Sequence, residues 1–251
     1  MNFSRRTRST RPRSTNCSKA CYSFWIRAIR TKNNLLTNNM GASPNSPLLN
    51  LTEALGFSAL VALYIWRFQA PRKYSWLIFP VWLVTSHLCH RDTPKTVGWR
   101  ADNLWAATKQ AVSFLGPCIL IVCAIGILLG GLHRWAGQLL VPKRFFGYMS
   151  FCLLQQVALN SYSTNRLLAA TNNPVRASLI SGAIFGALHW PNPVLVPITW
   201  IGGTAMSWLF ARERNILPLT VFQAVLGALV SWAFPVAWHH GMRVGPGFYS
   251  F

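Results

Sequence analysis

Five polar side chains sit in stretches that are otherwise apolar. They are Gln155, Gln156 and Asn160 in FCLLQQVALNSYSTNRL, His189 in FGALHW, and Gln223 in FQAVLGAL. Side-chain amides donate and accept hydrogen bonds but do not titrate. They can hold a carbonyl or a water, yet they cannot take a proton from a nucleophile. An imidazole can do that, and it can also ligate a metal. In hydrocarbon an unpartnered amide is costly, so these groups must face one another or a wet cavity. Plain interhelical hydrogen bonding, worth about 0.6 kcal/mol per contact, is an equally good use for Gln155, Gln156 and Asn160. The same structural role is favoured for Gln223. His189, followed by WPNP, can equally close a helix end by bonding a backbone carbonyl.

The elements that must position these residues are membrane helices. The chain is 52% hydrophobic and only 11% charged, against about 25% in ordinary soluble domains. The apolar residues fall in long blocks without strand alternation. Seven spans are expected, at about 48–68, 76–89, 111–131, 145–168, 175–190, 194–211 and 216–238. The fold class is therefore all-α, a polytopic helical bundle of about seven transmembrane helices. Residues 48–251 form that domain, with a short C-terminal tail. The segment RDTPKTVGWRADNLWAATKQA, with Trp99 and Trp105 among its polar residues, predicts an amphipathic helix on the membrane surface.

Residues 1–47 are rich in Arg, Ser and Thr and lack acid. They read as a disordered cytoplasmic tail, as a targeting segment, or as sequence upstream of the true start. Four carboxylates, Glu53, Asp92, Asp102 and Glu213, stand against 24 Lys and Arg. The basic residues lie between apolar blocks, as the positive-inside rule places them. An anionic bilayer is thus the expected partner, and nucleic acid is not. With the N-terminus cytoplasmic, 17 of the 24 cationic residues fall on that side. A bacterial inner membrane is expected, with an organellar membrane as the alternative.

Depth relates the five polar residues. If the chain turns at 168–175, Gln155 and His189 reach similar depths, roughly 20 Å from the turn. Gln223 is shallower by roughly 10 Å unless tilt closes the gap.

The motifs QQVALNSYSTNRL, FGALHW and FQAVLGAL, in that order, resemble those of the CAAX-protease and bacteriocin-processing intramembrane metalloproteases. VGWRADNL is similar to a GLR-like element of the same family. The likeness spans about 48–236. In that family motif one is EExxxR, motif two FxxxH and motif three HxxxN. The two glutamates fall on Gln155 and Gln156, and the arginine on Asn160. Motif two keeps Phe185 and His189. The motif-three histidine falls on Gln223 and its partner on Gly227.

The resemblance implies an intramembrane endopeptidase acting on prenylated or leader-peptide substrates. Gln155, Gln156, His189 and Gln223 hold its catalytic positions, and His189 is its one remaining metal ligand. It implies zinc as cofactor, and a membrane-anchored peptide or prenylated protein as partner. The substitutions argue for weak or no zinc and for impaired catalysis, because an amide is neither a base nor a good metal ligand. The alternative is a catalytically inactive scaffold that binds a peptide or lipid.

Other classes find little support. Cys118, Cys123 and Cys152 lie in apolar runs, and Cys17 and Cys21 have no second Cys/His pair to complete a zinc site. Adjacent His239 and His240 would point about 100° apart on a helix and could hardly share a metal. No nucleophile elbow and no phosphate loop are present. A transporter-like bundle is disfavoured because its halves show no repeat.

Overall fold

In the computed structural model the described residues are 46–69, 74–131 and 142–250. The expected tail therefore lies almost wholly outside them. All regular structure among the described residues is helical. Three helices are long and apolar enough to cross a membrane: Pro47–Phe68, Leu104–Leu128 and Ile216–Ala233. Of the remaining expected spans, the second is a shorter apolar helix, Ser75–Cys89. The other three fall in helices that are shorter or more polar.

The chain runs α1 (Pro47–Leu63), α2 (Ile78–Cys89), the single turn α3 (Pro94–Val97), α4 (Leu104–Leu128) and α5 (Pro142–Gln156). Helix α5 continues without a break through a π-helical stretch, Val157–Thr164, into α6 (Asn165–Thr171). Then come α7 (Pro174–Ala187), α8 (Leu195–Glu213) and α9 (Ile216–Ala233).

Local chemistry explains the boundaries. Ser46 caps α1, its Oγ accepting from the Leu49 amide, with Pro47 at the first helical position. Asn173 caps α7 by accepting from the Val175 and Arg176 amides, both at 3.0 Å. Asn215 caps α9 through the Leu217 amide. The surface helix expected at 91–111 is instead one turn, a loop and the first turns of α4. Gly98, at φ +86°, ends α3, and a Cβ there would lie 2.6 Å from the Phe210 ring. The backbone turns through a conformation that suits glycine and packs against α8 as it does so.

Helices α7 and α8 cross most closely. A Cβ on Gly182 would stand 2.6 Å from the Thr204 amide nitrogen and 2.7 Å from the Trp200 carbonyl oxygen. The helix backbones therefore touch, as small residues permit within membranes. Ala111 and Leu115 of α4 pack with Met206, Leu209 and Phe210 of α8 and Leu219 of α9. Ala54, Leu167, Leu168, Ala177 and Ala211 join α1, α6, α7 and α8. Leu120, Leu128, Ile201 and Leu88 are strongly exposed. On a bundle of this composition such residues face acyl chains.

Candidate functional site

The amides meet. Gln156 Nε2 donates to Gln223 Oε1 at 2.6 Å, and Gln223 Nε2 donates to Gln155 Oε1 at 2.6 Å. Asn160 Nδ2 donates to Gln156 Oε1 at 2.6 Å. Thr164 Oγ1 carries the row on, lying 3.1 Å from Asn160 Oδ1, 2.9 Å from Ser181 Oγ and 3.1 Å from Ser207 Oγ. Gln156, Asn160, Thr164, Ser181 and Ser207 are completely or almost completely buried. Polar groups from α5, the π stretch, α7, α8 and α9 thus satisfy one another inside the bundle.

The depth difference expected for Gln223 is closed. Tyr148, two turns before Gln155, packs its hydroxyl against α9 at Gly227, where a Cβ would stand 2.0 Å from it. This close approach draws α9 onto α5 and brings Gln223 level with the paired glutamines. The π stretch then carries Asn160 and Thr164 along the same seam.

His189 has a different setting. Helix α7 ends at Ala187, and the His189 Nδ1–H donates to the Phe185 carbonyl at 2.6 Å. Its ring meets the Phe185 ring edge-on at 4.7 Å. This bond fixes the tautomer and leaves Nε2 with its lone pair. No hydrogen bond joins His189 to the amide row among the described residues. As a zinc site the family positions are a poor fit. They offer one imidazole nitrogen and three neutral amides, where zinc takes three or four His, Cys or carboxylate ligands. Among the described residues no group of three His, Cys, Asp or Glu is placed to hold a metal.

His239 and His240 serve separate turns. His239 Nδ1 accepts from the Met242 amide, while His240 donates to the Phe248 carbonyl and stacks on that ring at 4.0 Å.

A second polar centre was not foreseen from the sequence. Arg166, at the start of α6, is almost completely buried. Its Nη2 donates to Asp92 Oδ2 at 2.7 Å and to Ser86 Oγ at 3.0 Å, and its Nε lies 3.3 Å from Glu53 Oε2. His90 Nε2 lies 2.8 Å from Glu53 Oε2, and His87 Nδ1 lies 2.7 Å from Asp92 Oδ2. Ser86 Oγ donates to Glu53 Oε1 at 2.6 Å. The Tyr162 hydroxyl accepts from Trp82 Nε1 at 2.7 Å, with the Arg166 guanidinium 5.4 Å from the centre of its ring.

Burial pushes the Asp92 carboxyl up, but hydrogen bonds from His87 and Arg166 outweigh it and hold the group below its ordinary range. Nearby, burial lowers the Arg214 guanidinium to about 10, with Asp92 opposing. Arg214 bonds the Thr96 carbonyl and Asn165 Oδ1. The sequence carried one signal for this centre. In a chain with four carboxylates, an arginine inside an apolar helix must take its counter-ion from among them.

The family model described as type II CAAX prenyl endopeptidase Rce1-like matches residues 148–229. These residues include all four family positions, Gln155, Gln156, His189 and Gln223. The match is confined to this segment, and what it shows is a local similarity to the CAAX-protease family. Outside it lie α1, α2 and the turn after α2, which supply Glu53, Ser86, His87, His90 and Asp92 to the ionic centre. The chain is also similar to photosystem I P700 chlorophyll a apoprotein A1 of Prochlorococcus marinus strains NATL1A and NATL2A. Each is 26% identical over 163 residues, covering 64% of this chain and 18% of the relative. The chain thus spans less than a fifth of the length of the curated relatives it matches. No solved structure matches it.

Proposed function

We propose that this chain is an Rce1-like integral membrane protein that binds a peptide segment at the Gln155–Gln156–Gln223 centre without hydrolysing it. The observation that carries this reading is the amide row. The positions where the family resemblance puts glutamates and a histidine are occupied by groups that hydrogen-bond one another at 2.6 Å and hold no titratable atom. General-base hydrolysis needs a group that accepts a proton near neutral pH, and an amide does not. Zinc would find His189 Nε2 and little else, so tight binding is not expected. The polar seam itself is well suited to peptide groups, which present the same amide donors and acceptors.

The test combines metal content with turnover. Purified protein should carry much less than one zinc per chain. It should show no chelator-sensitive cleavage of a fluorogenic membrane peptide, while binding that peptide saturably. Chelator-sensitive turnover that disappears in His189→Ala would establish the peptidase instead. The triple variant Gln155→Glu, Gln156→Glu, Gln223→His should raise zinc affinity at least about tenfold, since two carboxylates and an imidazole then enter a centre already assembled.

A further inference from the structure

We infer that the amide row is a one-way chain of dipoles ending in a free N–H donor on Gln155, and that this donor takes an unpaired backbone carbonyl of a membrane-inserted peptide. The inference rests on the proposed peptide-binding function and names the ligand atom that this function requires.

The direction of the row is fixed by Met206. Gln156 Nε2 lies 3.2 Å from Met206 Sδ. A thioether sulfur has no proton and can only accept, so the nitrogen of Gln156 must face it. That choice propagates in both directions. The same nitrogen donates to Gln223, so Gln223 presents its oxygen there and turns its nitrogen to Gln155 Oε1. On the other side Gln156 Oε1 must accept, so Asn160 gives its nitrogen and keeps Oδ1 for the Thr164 hydroxyl. Four amides therefore align head to tail, each polarising the next.

The row ends at Gln155 Nε2. Gln155 is half-buried, and this nitrogen has no partner among the described residues, although the side-chain oxygen is tied at 2.6 Å. A donor with two N–H groups at the edge of an apolar bundle needs an acceptor.

Depth selects the acceptor. Gln155 bonds Gln223, which lies near the middle of the membrane-length helix Ile216–Ala233. At about 1.5 Å per residue the pair sits roughly 10 Å from one end of that helix and roughly 15 Å from the other. Lipid ester carbonyls sit at the borders of a hydrocarbon layer about 30 Å thick, so they do not reach the middle of such a helix. A carbonyl does occur at that depth in a peptide helix broken by proline, where the oxygen four residues earlier loses its amide partner.

The experiment uses the full chain in nanodiscs and two fluorescent 21-residue Leu/Ala peptides, one with a central proline and one without. Wild type should bind the proline peptide about three- to tenfold more tightly, the range set by one net hydrogen bond. Gln155→Met, matched in length, should erase that preference. As a readout independent of any variant, an isotope-labelled carbonyl four residues before the proline should shift to lower infrared frequency on binding wild type.

If wild type binds neither peptide, the peptide-binding function falls and this inference with it. If wild type binds both peptides equally, if Gln155→Met keeps the preference, or if the labelled carbonyl does not shift, the Gln155 donor is wrong while peptide binding stands.

Discussion

Replacing Arg166 with Met tests the ionic centre. The guanidinium is almost completely buried and lies 2.7 Å from one carboxylate and 3.3 Å from another. Met keeps the length and apolar stem but leaves Glu53 and Asp92 facing each other across an apolar gap. Removing one partner of a buried ion pair costs about 3–5 kcal/mol, because the charge left behind is uncompensated. His90 and His87 still contact Glu53 and Asp92, which argues for the lower half of that range. At about 2–4 °C per kcal/mol for a domain of this size, the midpoint in detergent should fall by about 6–16 °C. The assay is thermal unfolding of purified wild type and Arg166→Met, followed by the triple variant Arg166→Met, Glu53→Gln, Asp92→Asn. The triple variant removes the stranded charges and should recover more than half of the loss, since neutral replacements of a buried ionic group are often close to isoenergetic. A loss below about 1 kcal/mol in the single variant would refute the assignment of Arg166 as a counter-ion. So would a triple variant no more stable than the single one.

Three other outcomes are expected. Gln223→Leu removes two hydrogen bonds of 2.6 Å and strands Gln155 Oε1; it should cost about 1 kcal/mol in mixed-micelle unfolding. Gly182→Ala should cost at least about 2 kcal/mol and reduce the yield of folded protein, since its Cβ would meet Thr204 and Trp200 backbone atoms at 2.6–2.7 Å. Because the Asp92 carboxyl is held below its ordinary 3.8, its contribution is complete above that pH and is lost as acid protonates it. The midpoint should thus fall on acidification below about pH 4, and Asp92→Asn should flatten that fall.

The helical class was legible because apolar blocks of span length have few alternatives. The meeting of Gln155, Gln156 and Gln223 was legible only in part. Counting residues from a turn places side chains along a helix axis but ignores the close approach of α5 and α9 at Tyr148 and Gly227. His189 was harder to place. Its spacing in FGALHW is equally that of a metal ligand and of a helix-ending residue bonding the carbonyl four positions back, and the structure shows the second contact. The Arg166 centre escaped notice because its carboxylates lie more than 70 residues away in sequence, and periodicity carries no information about pairing at that range.

The two polar centres share one helix, and the π stretch between them explains how. Val157–Thr164 inserts extra residues per turn, so the face presented by the helix rotates along its length. Gln156, Asn160 and Thr164 look toward α7, α8 and α9, while Tyr162 and Arg166 look toward α1 and α2. Residues four apart already share a face of an α-helix, with a drift of about 40° per step. The wider π turn lowers the rotation per residue and so changes the direction of that drift, and along it Thr164 reaches both Ser181 and Ser207. π-helical segments of this kind are found most often at functional sites, where their weaker packing is retained for the placement it gives. The eight-residue stretch therefore belongs to the amide site as much as the glutamines do. Under the proposed function, deleting Val157 or Ala158 should shift Gln155 and Gln156 relative to Asn160 and Thr164 and weaken peptide binding in nanodiscs, while circular dichroism still reports a folded helical bundle.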